Sequence, residues 1–155
     1  MVPCDDEILI TKADFSIEDE YRRLLDDDHS LGACVLFTGL VRDLPEAGSL
    51  QSLELEHYPG MTEASIAEIV AKARARWNIA RVRVIHRIGK LAPGDQIVLV
   101  AVAGAHRGEA FAACEYVMDY LKTRAPLWKK ETADGRARWV DSRESDEMAA
   151  ARWET

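Results

Sequence analysis

The sequence is short of cysteine, has no long apolar run and carries no surplus of positive charge. Its 3 cysteines, Cys4, Cys34 and Cys114, are scattered, and no two form a CxxC pair. That spacing argues against a zinc site and against a disulfide framework. Cys34 and Cys114 lie inside apolar patterns and read as small core residues, with a reactive thiol as the alternative. The longest uncharged apolar stretch, residues 97–105 (IVLVAVAGA), is far shorter than the about 20 residues needed to cross a bilayer. The opening MVPCDDE has no basic segment followed by an apolar one. No secretory signal is therefore expected, and the cytoplasm is the expected compartment. No internal repeat or low-complexity segment is visible.

The formal net charge is −7 over 155 residues. A nucleic-acid binder is more often broadly basic, so this balance disfavours that class. The charge is also uneven. Residues 1–30 hold 10 acids and 3 bases, which accounts for the whole −7. Residues 122–138 hold 6 bases and 2 acids. A cationic patch on an acidic chain suits a small anionic ligand or an acidic partner segment, with a solvated charged face as the alternative.

Length, 48% hydrophobic and 30% charged residues fit one globular domain over 1–155. Residues 7–11 (EILIT) read as a short strand. Ser16 and Asp19 resemble a capping box, followed by a helical stripe of Ile17, Tyr21, Leu24 and Leu25. GACVLFTG (32–39) is apolar on both faces and predicts a buried strand, and GLVRDLPEAGS a loop. SLELEHY alternates, with Leu53 and Leu55 inward. MTEASIAEIVAKARARW predicts a helix capped by Thr62, with Ile66, Ile69, Val70, Ala73 and Trp77 buried. RVRVIHRIG and DQIVLVAVAG read as strands joined at Pro93-Gly94-Asp95. Residues 109–122 read as a helix, PLWKKETADGRARWV as a hairpin turning at Asp134-Gly135, and SRESDEMAAARW as a short closing helix. The sum is an α+β domain with a largely antiparallel sheet.

At the α-helical step, Phe111, Cys114, Met118 and Leu121 share one arc, and Lys122 falls about 20° from Phe111. A lysine at the edge of an apolar stripe is partly desolvated and so a better nucleophile or proton carrier. Alternatively it snorkels and pairs with the helix dipole. Ala125 precedes Pro126, so the helix must end there. In the strand that follows, Leu127, Lys129 and Glu131 share one face, and Trp128 and Lys130 the other. Two ammonium groups brought to one cavity repel, which an anion between them would relieve. His106 and Arg107 stand between a buried strand and a helix start, where backbone N–H groups favour anions. A surface ion pair and a turn cap are the alternatives. Arg42 sits in a loop after an apolar strand, a common home for ligand contacts.

FTGLVRD, HRIGKLAPGD, AHRGEAF, YLKTRAPLWKKE and RWVDSRESD occur in this order. In order and spacing they resemble the large, catalytic subunit of molybdopterin synthase. The resemblance runs from about residue 32 to 153. Gly104 stands where many relatives have Ser. The resemblance implies an α/β-hammerhead fold with flanking helices and a homodimer at the centre of a heterotetramer. The partner it implies is a small ubiquitin-like sulfur carrier, whose C-terminal Gly-Gly tail ends in a thiocarboxylate. The implied activity is sulfur transfer to cyclic pyranopterin monophosphate, forming the molybdopterin dithiolene with no metal or cofactor of the chain's own. Lys122 and Lys129 would be catalytic. Leu40, Val41, Arg42, His106, Arg107, Lys130, Glu131 and Arg143 would join them in holding substrate. Two other functions remain open: a persulfide sulfurtransferase using Cys34 or Cys114, and a non-catalytic binder of a phosphorylated ligand.

Overall fold

The computed structural model describes residues 6–43, 50–133, 135–140 and 144–154. Cys4, Asp134, Arg143 and most of the loop before residue 50 lie outside them. The elements run β1 (Asp6–Thr11), α1 (Ile17–Leu25), β2 (Ala33–Leu40), β3 (Leu50–His57), α2 (Met61–Arg76), β4 (Arg81–Arg87), β5 (Gly89–Leu91), β6 (Gln96–Gly104), α3 (Arg107–Arg124), β7 (Leu127–Ala133), β8 (Arg136–Val140) and α4 (Glu144–Ala151), with a 3-10 turn at Arg152–Glu154. This is the α+β class that the alternating patterns predict. The strands form two four-stranded sheets, β1-β4-β6-β2 and β5-β3-β7-β8. Every pairing is antiparallel except β1 with β4. None of the described helices is long and apolar enough to cross a membrane.

The main core forms where α2 and α3 cover one face of the first sheet. Ile66, Ile69, Val70 and Ala73 of α2 meet Ala110, Ala113, Cys114, Val117 and Leu121 of α3 over Val82, Val84, Val100 and Val102. Val117, Val84 and Val100 are fully buried. Each such side chain contributes about 1.5–3 kcal/mol relative to exposure. The opposite face is clasped by α1. There Arg83, which is buried, pairs with Glu20 of α1 at 2.6 Å and with Glu7 of β1. Part of the acidic N-terminal segment thus serves a buried cation, and removing one partner there would strand the other.

Four expectations need correction. The strand β2 is an edge strand, not a buried one, and leaves Phe37 and Leu40 exposed. Composition alone does not separate an edge strand from a central one. Of the two helical stripes, only Leu24 is buried in α1, and Trp77 falls just past the end of α2, half-buried against Tyr116 and Trp153. In α3 Phe111 points outward, at 59% exposure, and the small residues Ala110 and Ala113 lie beneath the helix instead. Close approach to α2 favours alanines there. Thr62 does not cap α2. Gly60, at φ +83°, precedes the helix, and Thr62 is fully buried inside its first turn.

Candidate active site

A cavity of about 460 Å³ opens where the C-terminus of α3, the end of β2 and the start of β7 meet. Each wall has a local cause.

Ala125 is extended (φ −79°, ψ 132°), as a residue before proline must be, so α3 stops one turn after Lys122. Thr62 then fixes the corner. Its hydroxyl donates to the Pro126 carbonyl at 2.9 Å and accepts from the Tyr58 N–H at 2.9 Å. Beyond the corner, β7 lies antiparallel between β3 and β8, with Lys129 opposite Leu55 on one side and Val140 on the other. Leu127, Lys129 and Glu131 line the cavity, as their alternation predicts. Lys130 stands on the other face, with its ammonium 5.9 Å from the Trp139 ring. It is not part of the cavity wall.

The Arg42 loop is pinned by the Pro93–Asp95 turn. The Val41 N–H donates to the Asp95 carbonyl at 2.9 Å, and the Gly94 N–H donates to the Val41 carbonyl at 2.8 Å. Gly94 holds φ +92°, the left-handed region that glycine enters without strain. Just before the loop, a Cβ at Gly39 would come within 2.6 Å of Val98, so β2 can approach β6 there only as glycine. Leu40, Val41 and Arg42 all line the cavity.

Six of the residues singled out from the sequence therefore converge: Leu40, Val41, Arg42, Lys122, Lys129 and Glu131. Lys122 is exposed at the cavity mouth, so the desolvated setting read from the helical wheel is not present in the isolated chain. His106 and Arg107 do not join the cluster. They lie exposed at the start of α3, and an unbroken helix of 18 residues puts Arg107 roughly 22 Å from Lys122. Arg143 falls outside the described residues.

The structure adds residues that the sequence reading missed. Ser145 and Asp146, at the start of α4, reach the cavity, and no periodicity announces them. His86 lines it as well. Its signal was present: in RVRVIHR, His86 follows Val82 and Val84 on the core-facing side of β4, an unusual place for a histidine. Burial pulls the His86 imidazole down from 6.5 to about 4. The Arg87 carbonyl bond opposes this, while Lys129, Lys122 and His57 push the same way as burial.

This carries a stability consequence. The unfolded ring takes its proton near pH 6.5 and the folded ring only near 4. The stabilisation from keeping it neutral is complete above 6.5 and is lost as pH falls toward 4, by on the order of 3 kcal/mol. Urea midpoints measured across that window should fall on acidification. The fall should be clearly smaller in His86→Gln, which has no ring to titrate. Equal slopes in the two proteins would show that His86 does not set this dependence.

A family profile described as "MoaE protein" matches residues 10–124. The molybdopterin synthase catalytic subunit of Vibrio cholerae is 55% identical over 150 residues, covering 97% of this chain and 99% of that one. Among solved structures, the molybdopterin biosynthesis MoaE protein of Burkholderia ambifaria superposes with TM-score 0.83 at 49% identity, covering 97% of this chain and 99% of that one. Molybdopterin synthase from Staphylococcus aureus follows with TM-score 0.76 at 32% identity, covering 86% and 95% of the two chains. With a family profile spanning most of the chain and relatives matching almost end to end, the chain belongs to the MoaE family.

Proposed function

We propose that residues 1–155 act as one domain, the catalytic subunit of a molybdopterin synthase working in the cytoplasm. It moves sulfur from the C-terminal thiocarboxylate of a small ubiquitin-like carrier to cyclic pyranopterin monophosphate, building the dithiolene. The observation that carries this reading is the convergence of Lys122, Lys129 and Arg42 on one cavity, in a chain of this family. Both reactants are anions, and both must come close. Preorganised cations lower the energy of that encounter and of negative charge developing at the acyl carbon. Lys122 is the central catalytic group and Lys129 assists it from β7. Arg42, with the backbone of Leu40 and Val41, holds substrate, and Glu131 lines the pocket. His106 and Arg107 grip the phosphate or the pterin from a second copy of the chain, and Arg143 helps to hold substrate.

Sulfur arriving on a carrier removes the need for a reactive thiol. Burial pushes the Cys114 thiol up to about 12 and raises that of Cys34. The thiolate is the nucleophilic form, so both cysteines are poorly placed for persulfide chemistry. The direct test is reconstitution with thiocarboxylated carrier and cyclic pyranopterin monophosphate, reading dithiolene product. Binding without product would leave only a ligand-binding module.

Carrier association should also slow as salt rises. The tail terminus approaches Lys122 and Lys129, and charge-steered encounters weaken once ions screen them beyond about 10 Å at 0.1 M. Stopped-flow association rates across a salt series check this, and a flat series would place the steering charges elsewhere.

A further inference from the structure

Among the described polar side chains lining the cavity, His86 alone is buried, at 7% exposure. Its Nδ1 lies 2.8 Å from the Arg87 carbonyl oxygen. A carbonyl oxygen can only accept, so Nδ1 carries the proton and donates. Nε2 is then the bare nitrogen, an acceptor with its lone pair free. The ring makes no other hydrogen bond among the described residues. The charged or titratable groups bearing on it are Lys129 from β7, Lys122 from α3 and His57 from β3, whose Nε2 lies 3.7 Å from Glu63. Arg42, Glu131 and Asp146 share the cavity.

We propose that His86 is a substrate-contacting residue, whose bare Nε2 accepts a hydrogen bond from a ring N–H of the pterin. The inference rests on the sulfur-transfer reading above and extends it to a residue with no role there. Ammonium and guanidinium groups are donors only. They suit a phosphate or a thiocarboxylate but offer nothing to a heterocyclic N–H. The carboxylates of Glu131 and Asp146 can accept as well, but they are charged, and a further carboxylate at position 86 would set more negative charge beside the lysines that the anions need. A neutral imidazole accepts without cancelling anything. Burial and the neighbouring cations keep it unprotonated across the physiological range. Burial also sharpens selection, because a ligand lacking the N–H would leave a desolvated acceptor without a partner.

The test uses the full complex with unthiolated carrier, so that no turnover occurs, and 15N-labelled histidines. The free complex should show His86 protonated on Nδ1 and bare on Nε2. Cyclic pyranopterin monophosphate should move the Nε2 resonance toward the hydrogen-bonded range, and inorganic phosphate alone should not. In calorimetry, His86→Leu should bind the pterin roughly 10-fold more weakly, and His86→Gln, which keeps an acceptor, should recover most of the loss. The proposal is overturned by an Nε2 that is protonated or unmoved by the pterin, as it would be if a lysine ammonium occupied it. It is also overturned by a His86→Leu protein that binds the pterin like wild type. If His86→Leu fails to fold, the resonance of the wild-type ring and the Gln variant decide. Pterin bound by wild type but indifferent to residue 86 sinks this inference alone. Pterin not bound by wild type at all sinks the sulfur-transfer reading with it.

Discussion

Lys122→Ala is expected to lower dithiolene formation by about 10²–10³-fold, the usual cost of removing one preorganised charge from a developing anion. The fold should survive. Lys122 is exposed in the last turn of α3, where its interaction with the helix end contributes about 0.3–1 kcal/mol. The loss should fall on the chemical step more than on pterin affinity, because Lys129 and Arg42 still line the cavity. Single-turnover assays at saturating pterin and carrier make the measurement, with a melting curve to check folding. Turnover near wild type in a well-folded variant would remove Lys122 from the mechanism.

Arg107→Ala and Lys122→Ala, each nearly inactive alone, should restore activity when mixed and allowed to exchange subunits. The reason is the geometry of α3. Arg107 and Lys122 stand at opposite ends of one unbroken helix, roughly 22 Å apart, so one small substrate cannot touch both in the same chain. A two-fold dimer that sets the start of one helix against the end of its mate would put both groups in one site. A mixed dimer then holds one site with both lesions and one with neither. Statistical exchange makes half the dimers mixed, so total activity should approach about a quarter of wild type. Native mass spectrometry confirms exchange. Confirmed exchange with no return of activity would mean that the two clusters do not share a site between subunits.

Much of this was legible in the sequence, and the failures have a common physical origin. Alternation and the proline corner placed Leu127, Lys129 and Glu131 on one face, because a strand's period is a local property. The α2 stripe was legible for the same reason. Local patterning could not show that β2 lies at a sheet edge, nor that Phe111 turns away from the core, since both depend on which elements become neighbours. Lys122 and His86 fail in opposite directions. The wheel made Lys122 look sheltered, but among the described residues no wall covers it. His86 was passed over as part of an apolar strand, although its position beside Val82 and Val84 marked it. Ser145 and Asp146 reach the cavity through the path of the chain after β8, which no periodicity encodes.

The Thr62 bridge bears on the order in which the site comes into being. It joins residues 64 positions apart, and the β3–β7 ladder that carries Lys129 closes a loop of similar span. Contacts between such distant segments are entropically costly and tend to form late in folding. The turn of α3 that bears Lys122 closes through hydrogen bonds only four residues apart, although the helix is held in place by packing on α2 and the first sheet. Lys129 joins it only when α2 has docked and the Pro126 corner has been tied. The two ammonium groups are therefore expected to meet in one cavity only once the long-range ladder has closed, when the scaffold that holds them apart or together is already built.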